Sequence, residues 1–187
     1  MKIQNLSPAV PNLFRETRIA IIYLAVQCLA TFHPEGFQLL GGNCFAQGTR
    51  VWATYYGGGA IDNGYNVATD AAGNVFLAGF TTSAAGIASG GSQNTYGGGT
   101  SGDGDAFLVK FDAVGVRQWA TYYGGSGDDQ GRGVATDASG NVYLAGLTNS
   151  TSGIASGGFQ NAYGAGAGTY DAYLVKFSAT GGRLWAT

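Results

Sequence analysis

Four aspartates are the first residues in this chain whose types and spacing point to chemistry. Asp103-Gly-Asp105 and the Asp128-Asp129 pair within Ser-Gly-Asp-Asp-Gln-Gly are oxygen-rich and flanked by glycine. That setting suits a hard cation, calcium above all. The chain repeats internally, and the copies differ here: the first keeps Asp62 alone of the second pair, and the second keeps Asp171 alone of the first. A real site would therefore draw further ligands from carbonyls or a neighbouring module, and turn capping by Asp is the favoured reading. Two loops offer a different chemistry. Gln93-Asn94-Thr95-Tyr96 and Gln160-Asn161-Ala162-Tyr163 combine amides with an aromatic ring, which is what a glycan or a peptide is recognised by. Gln93, Asn94, Tyr96, Gln160, Asn161 and Tyr163 are thus the candidate ligand-binding residues. Against this stands the favoured alternative, in which each Tyr tucks into a sheet edge and the amides hold the loop's shape.

Catalysis finds little to work with. His33 is the single histidine, and beyond residue 46 there is neither His nor Cys. That stretch can build no Ser-His-Asp or Cys-His arrangement and no His/Cys zinc cluster. Carboxylate-only catalysis needs two acids at a fixed separation, whereas Asp62, Asp70, Asp112, Asp129, Asp137 and Asp171 mostly occupy repeat-equivalent turn positions. No catalytic residue is assigned, and the chain is read as a non-enzyme. Its formal net charge of −2 leaves no electrostatic footprint for nucleic acid or an anionic lipid surface.

What must position these residues is a repeated hairpin. Thr69-Asp-Ala-Ala-Gly-Asn-Val-Phe-Leu-Ala-Gly79 returns as Thr136-Asp-Ala-Ser-Gly-Asn-Val-Tyr-Leu-Ala-Gly146. Each copy reads as a strand end, a tight turn and an apolar strand. The Asp side chain accepts from backbone N–H groups two residues on, and Gly73 or Gly140 takes the positive φ that closes the loop. Trp52, Trp119 and Trp185 recur at intervals of 67 and 66 residues, and Asp105–Phe111 answers Asp171–Phe177. The repeats span 52–118 and 119–184, with a third beginning at 185–187. In the second, strands are expected near 133–136, 141–148, 171–177 and 182–187, with a long Ser/Gly/Ala loop from Asn149 to Tyr170.

These strands are apolar on both faces. Tyr173, Val175 and Phe177 point one way, and Ala172 and Leu174 the other. Such a sheet must lie between neighbours. The recurring Tyr55-Tyr56 and Tyr122-Tyr123 pairs and the tryptophans read as packing between units, and Lys110 and Lys176 as lysines snorkelling from strand ends. Gly makes up 34 of 187 residues, more than twice the usual ~7%, yet the aromatic content of 13% argues against disorder. The fold class is all-β: four-stranded antiparallel sheets arranged as β-propeller blades, two full repeats and the start of a third. A parallel β-helix is the structural alternative.

The run W-A-T-Y-Y-G-G-S-G-D-D, then V-A-T-D-A-S-G-N-V-Y-L-A-G-L-T, then F-Q-N-A-Y-G-A-G and D-A-Y-L-V-K-F resembles the SBBP family of bacterial β-propeller repeats. The likeness covers essentially everything after residue 50. The Thr-Asp-x-x-Gly-Asn hairpin also resembles NHL-type repeats. The SBBP resemblance implies seven blades and a secreted or surface protein. Two blades cannot close a ring of about four to eight, so the sequence is expected to be a piece of a longer array or a truncated reading frame, with closure by several copies as the alternative.

Residues 1–46 read as a signal peptide and 47–187 as the repeat region. Lys2, Arg15 and Arg18 precede a 14-residue apolar run, Ile19 to Phe32, too short for the ~20 residues of a spanning helix. Cleavage is expected after Ala46, or else after Ala30; an uncleaved segment would be the chain's one contact with a membrane. The expected partners are neighbouring blades, from a longer chain or other copies, together with an extracellular protein or glycan. The expected function is that of a secreted or surface-displayed structural and interaction module, with a glycan- or peptide-binding module as the alternative. No cofactor is expected beyond the calcium weighed above.

Overall fold

The turn Asp137-Ala-Ser-Gly-Asn141 shows how locally the sheets are encoded. Asp137 Oδ1 accepts from the N–H groups of Ser139 and Asn141, both at 2.9 Å, and Asn141 Nδ2 donates back to Oδ2 at 2.8 Å. Gly140 takes φ +76°. Asp70, Ala72, Asn74 and Gly73 reproduce the turn in the first repeat. The Asn of the motif is thus a second clasp on the Asp carboxylate.

The structure is a computed structural model that describes residues 30–33, 36–39, 50–98, 104–164, 166 and 168–187. The chain divides into two units, residues 1–49 and 50–187. In the first, β1 (Ala30–His33) and β2 (Gly36–Leu39) pair antiparallel, with Ala30 opposite Leu39. Lys2, Arg15, Arg18, most of the apolar run and Ala46 lie outside the described residues. Among the described residues no helix is long and apolar enough to cross a membrane.

The second unit holds two four-stranded antiparallel meanders. The first is β3 (Asp62–Thr69), β4 (Val75–Thr81), β5 (Asp105–Phe111) and β6 (Arg117–Tyr123). The second is β7 (Asp129–Thr136), β8 (Val142–Thr148), β9 (Asp171–Phe177) and β10 (Arg183–Ala186). Strand β7 starts four residues ahead of the expected 133, because Asp129 pairs with Thr148 and Gln130 with Leu147 before a bulge at Gly131/Gly133.

Side-chain alternation puts one core between the sheets and another in front of the first. Phe76, Ala78, Ala106 and Leu108 leave the first sheet on the side of Val142, Leu144, Tyr173, Val175 and Phe177 of the second. Phe107, Val109 and Phe111 point the other way, where Trp52 and Tyr56 cover them. Strands β4 to β6 of the first sheet are therefore largely covered on both faces, whereas β3 is mostly exposed, Val67 at 62%. On the second, Tyr173, Val175 and Phe177 are buried, while Leu174 is 37% and Leu184 56% exposed.

Candidate functional site

The seam between the sheets is built from the residues that repeat. Trp119 on β6 reaches past its own sheet, its ring 6.2 Å from Phe76 and 6.5 Å from Phe177, and its Nε1 donates to Ala179 O at 3.0 Å. Lys110 Nζ donates to the same carbonyl at 3.3 Å, so this lysine ties one sheet to the other. Tyr123 packs on Tyr173 (5.1 Å) and edge-on to Phe177 (5.8 Å), and its hydroxyl donates to Ile154 O at 2.6 Å. Trp52 on Phe111, Tyr56 on Phe107 and Phe111, and the Tyr56 hydroxyl on Ile87 O repeat the pattern against the first sheet.

At one end of the seam two carboxylates meet. Asp105, opening β5, and Asp129, opening β7, are both fully buried. Asp105 Oδ2 accepts from Gly97 N at 2.9 Å and Gln93 Nε2 at 3.1 Å. Asp129 Oδ2 accepts from Gly125 N at 2.8 Å and Ser150 Oγ at 2.7 Å. Asp105 Oδ1 has no hydrogen-bond partner. Burial pushes the Asp105 carboxyl up to about 7, with the Asp129 charge adding to the rise, and burial raises Asp129 as well.

The structure brings Asp105 of one blade to Asp129 of the next, and Asp128 does not share that site with Asp129, because successive residues of an extended chain face opposite ways. Asp128 turns away, its Oδ2 accepting from Gln130 Nε2 at 2.8 Å and the Tyr170 hydroxyl at 3.0 Å. Asp103 lies outside the described residues. Among the described residues no group of three or more His, Cys, Asp or Glu converges where a metal ion could be held. Calcium takes six to eight oxygens, and the seam offers two carboxylates toward that number.

The two Gln-Asn-x-Tyr loops are alike in their local bonds. Asn94 Nδ2 donates to Gly91 O (2.9 Å) and Asn161 Nδ2 to Gly158 O (3.1 Å). Gln93 Nε2 donates to Thr95 O (3.1 Å) and Gln160 Nε2 to Ala162 O (2.9 Å). They part company over what they hold. Gln93 also reaches Asp105, and its Oε1 accepts from Gly124 N at 3.2 Å, while Tyr96 meets Tyr122 edge-on at 5.7 Å. In the second loop the Tyr163 hydroxyl donates to Thr169 O at 2.6 Å. There Gln160, Asn161 and Tyr163 line a cavity of about 470 Å³ with Thr148, Ser150 and Ile154. Sequence reasoning missed Ser150, Thr148 and Ile154; their counterparts Ser83, Thr81 and Ile87 occupy the same repeat positions, which was the available signal.

Residues 51–87 and 118–154 each match the family model of the SBBP beta-propeller repeat. The chain carries two SBBP repeats. No curated protein matches it. Each matched SBBP segment contains a Trp-Ala-Thr-Tyr-Tyr run and ends on the Ile whose carbonyl takes the Tyr hydroxyl. In the second, the matched residues include the last strand of one sheet and the first two of the next. The SBBP repeat therefore describes a junction between blades as much as a blade, which explains why its tryptophan sits at the seam.

Proposed function

We infer that the chain is an extracellular structural and interaction module, displayed at or beyond the cell surface, that works through stacked SBBP blades and carries out no catalytic step. The observation that carries this reading is the seam, where the residues shared between the repeats are spent on holding one sheet against another. The beta-propeller repeat itself suggests a structural or interaction role. Export rests on the basic and apolar character of residues 1–46. Two measurements test the reading. Leu108→Arg, which buries a charge between the sheets, should unfold the protein, whereas Leu174→Arg on the bare face should leave its melting curve in place. Equal tolerance of both would sink the stacking reading. Cell fractionation should find the full chain outside the cytoplasm, and a chain lacking residues 1–46 inside it.

A second reading has one observation in its favour. The cavity beside Gln160 and Tyr163 combines amides, hydroxyls and an aromatic ring, the composition that grips a peptide or a glycan. A glycan array against a peptide array, each probed with the full chain, separates those ligands.

A further inference from the structure

The repeated lysine is held differently in the two blades. Lys176 pairs with Asp137 at 3.4 Å and lies 5.0 Å over the Tyr143 ring. The Tyr143 hydroxyl donates to the same Asp137 oxygen at 3.2 Å. In the first blade Phe76 stands in the place of Tyr143, and it has no hydroxyl to give. Lys110 leans over the Phe76 ring at 5.4 Å and donates at 3.3 Å to Ala179 O, which already accepts from Trp119 Nε1 at 3.0 Å. Among the described residues Lys110 has no ion pair. One long bond to a shared carbonyl leaves two of its three N–H donors unspent.

Lys110 lines a cavity of about 410 Å³ at the seam, within the size range of small-molecule sites. Asn74, Asp112, Gln118 and Trp119 line it from the first blade, and Ala179 and Thr180 from the second. Its polar groups are not equally free. Asp112 is satisfied: Oδ1 accepts from the N–H groups of Val114 and Val116, and Oδ2 from Gln118 Nε2 at 2.8 Å. Gln118 Nε2 also donates to Val116 O at 3.2 Å, and Asn74 Nδ2 donates to Asp70 Oδ2 at 2.7 Å. Both amides thus spend their nitrogens inside the first blade, and their oxygens accept nothing among the described residues. The cavity therefore offers one ammonium and two amide oxygens. The oxygens come from different elements, since Asn74 ends the turn before β4 and Gln118 lies in β6.

Resting on the stacked-blade reading, because the second blade supplies one wall, we propose that this cavity binds a sugar acid, one carboxylate flanked by hydroxyls. The carboxylate takes the unspent N–H donors of Lys110 in charge-assisted bonds. The hydroxyls donate to Gln118 Oε1 and Asn74 Oδ1. An amino acid fits less well, since it gathers its donors on one ammonium while the two acceptors lie on separate elements. A dicarboxylate brings a second anion beside Asp112, where like charges repel. A neutral sugar leaves the half-buried ammonium without a counter-charge. The set of groups is peculiar to the first blade: Ser178 and Leu184 replace Asp112 and Gln118 in the second, and Asp137 already holds Lys176.

Calorimetric titration of the full 187-residue chain with glucuronate should show binding at millimolar ligand, with glucose and glutamate weaker by roughly 10-fold or more. Lys110→Met keeps the stem and removes the charge, and should weaken glucuronate binding by roughly 10-fold or more. Gln118→Leu puts the second blade's own residue at an exposed position, so it should keep the parent melting curve while lowering affinity about 3- to 10-fold. A short oligouronate distinguishes the sources of the acid. If it competes with glucuronate, the ligand is the end of an acidic polysaccharide; if it does not, the ligand is the free acid. No binding of glucuronate overturns the proposal, as does binding that both variants leave intact. Glucose bound as tightly as glucuronate removes the role of the charge and overturns it, and glutamate bound more tightly overturns the role of the hydroxyls. Leu108→Arg reports on stacking by itself, so failure here leaves that reading standing.

Discussion

Asp105 and Asp129 approach the α-carbon of Gly124 from opposite blades. A β-carbon on Gly124 would lie 2.7 Å from Asp105 Oδ1 and 2.7 Å from Asp129 Oδ2. Two buried carboxylates share one glycine's worth of space, and the seam closes because position 124 carries no side chain.

Gly124→Ala should therefore cost about 1–3 kcal/mol, the range for forcing a methyl into a packed interior. Gly59 is the control, since a β-carbon there meets nothing within 4 Å. Urea melts of the two variants should differ by that margin, with Gly59→Ala within about 0.5 kcal/mol of the parent.

The same pair sets a pH dependence. Asp105 titrates near 7 when folded and near 3.9 when unfolded, so the folded state holds the extra proton between those values. Its stabilisation is complete below about pH 4 and is lost as the pH rises through 7. Asp129 is raised by burial too and acts in the same direction. Asp137, lowered to about 2 chiefly by its bond from the Asn141 amide, acts oppositely: its contribution is present above about pH 4 and lost as the pH falls through 2. The melting temperature should peak in mildly acidic buffer and fall toward pH 8. Asp105→Asn should flatten that fall and stabilise the protein at pH 8 by about 1–3 kcal/mol, because a neutral amide replaces an unpartnered anionic oxygen. A melting temperature that climbs steadily from pH 5 to 8 would contradict this account.

Calcium is tested by the same residues. With two carboxylates converging, millimolar calcium should leave the melting curve at pH 8 where it was. A rise that Asp105→Asn removes would instead identify the pair as a cation site.

Position in the stack decides what each tryptophan is worth. Trp119 is 5% exposed and packed from both blades, so Trp119→Ala should cost about 3–5 kcal/mol. Trp185 has Tyr143 at 6.3 Å as its ring partner on the bare face, and Trp185→Ala should cost under about 1 kcal/mol. Chemical denaturation of both variants checks the ratio.

The tyrosine hydroxyl at the seam is separable from its ring. Tyr123→Phe keeps the ring contacts but leaves the carbonyl of the buried Ile154 with only the long 3.5 Å bond from Arg183 Nη1, a loss of about 0.5–1.5 kcal/mol. Tyr55→Phe, in solvent, should be neutral. Equal effects at the two positions would remove the hydroxyl from the account.

Much of the fold was legible because its determinants are short-range. Asp137 and Asn141 grip each other across four residues, and the apolar residues on both faces of Asp105–Phe111 mark a strand that packs on both sides, as it does. The sequence alone thereby determined the hairpins, the four strands of each repeat and the need to stack them. The expected fourth strand at 182–187 already held Trp185, and by the repeat put Trp119 in a last strand too; only the tertiary structure showed that the Trp119 ring meets both its own sheet and the next. Nor does spacing reveal that Asp105, held by Gln93 and Gly97 of the loop before it, also meets Asp129 of the next blade, since that pairing arises from two strand ends brought together by packing.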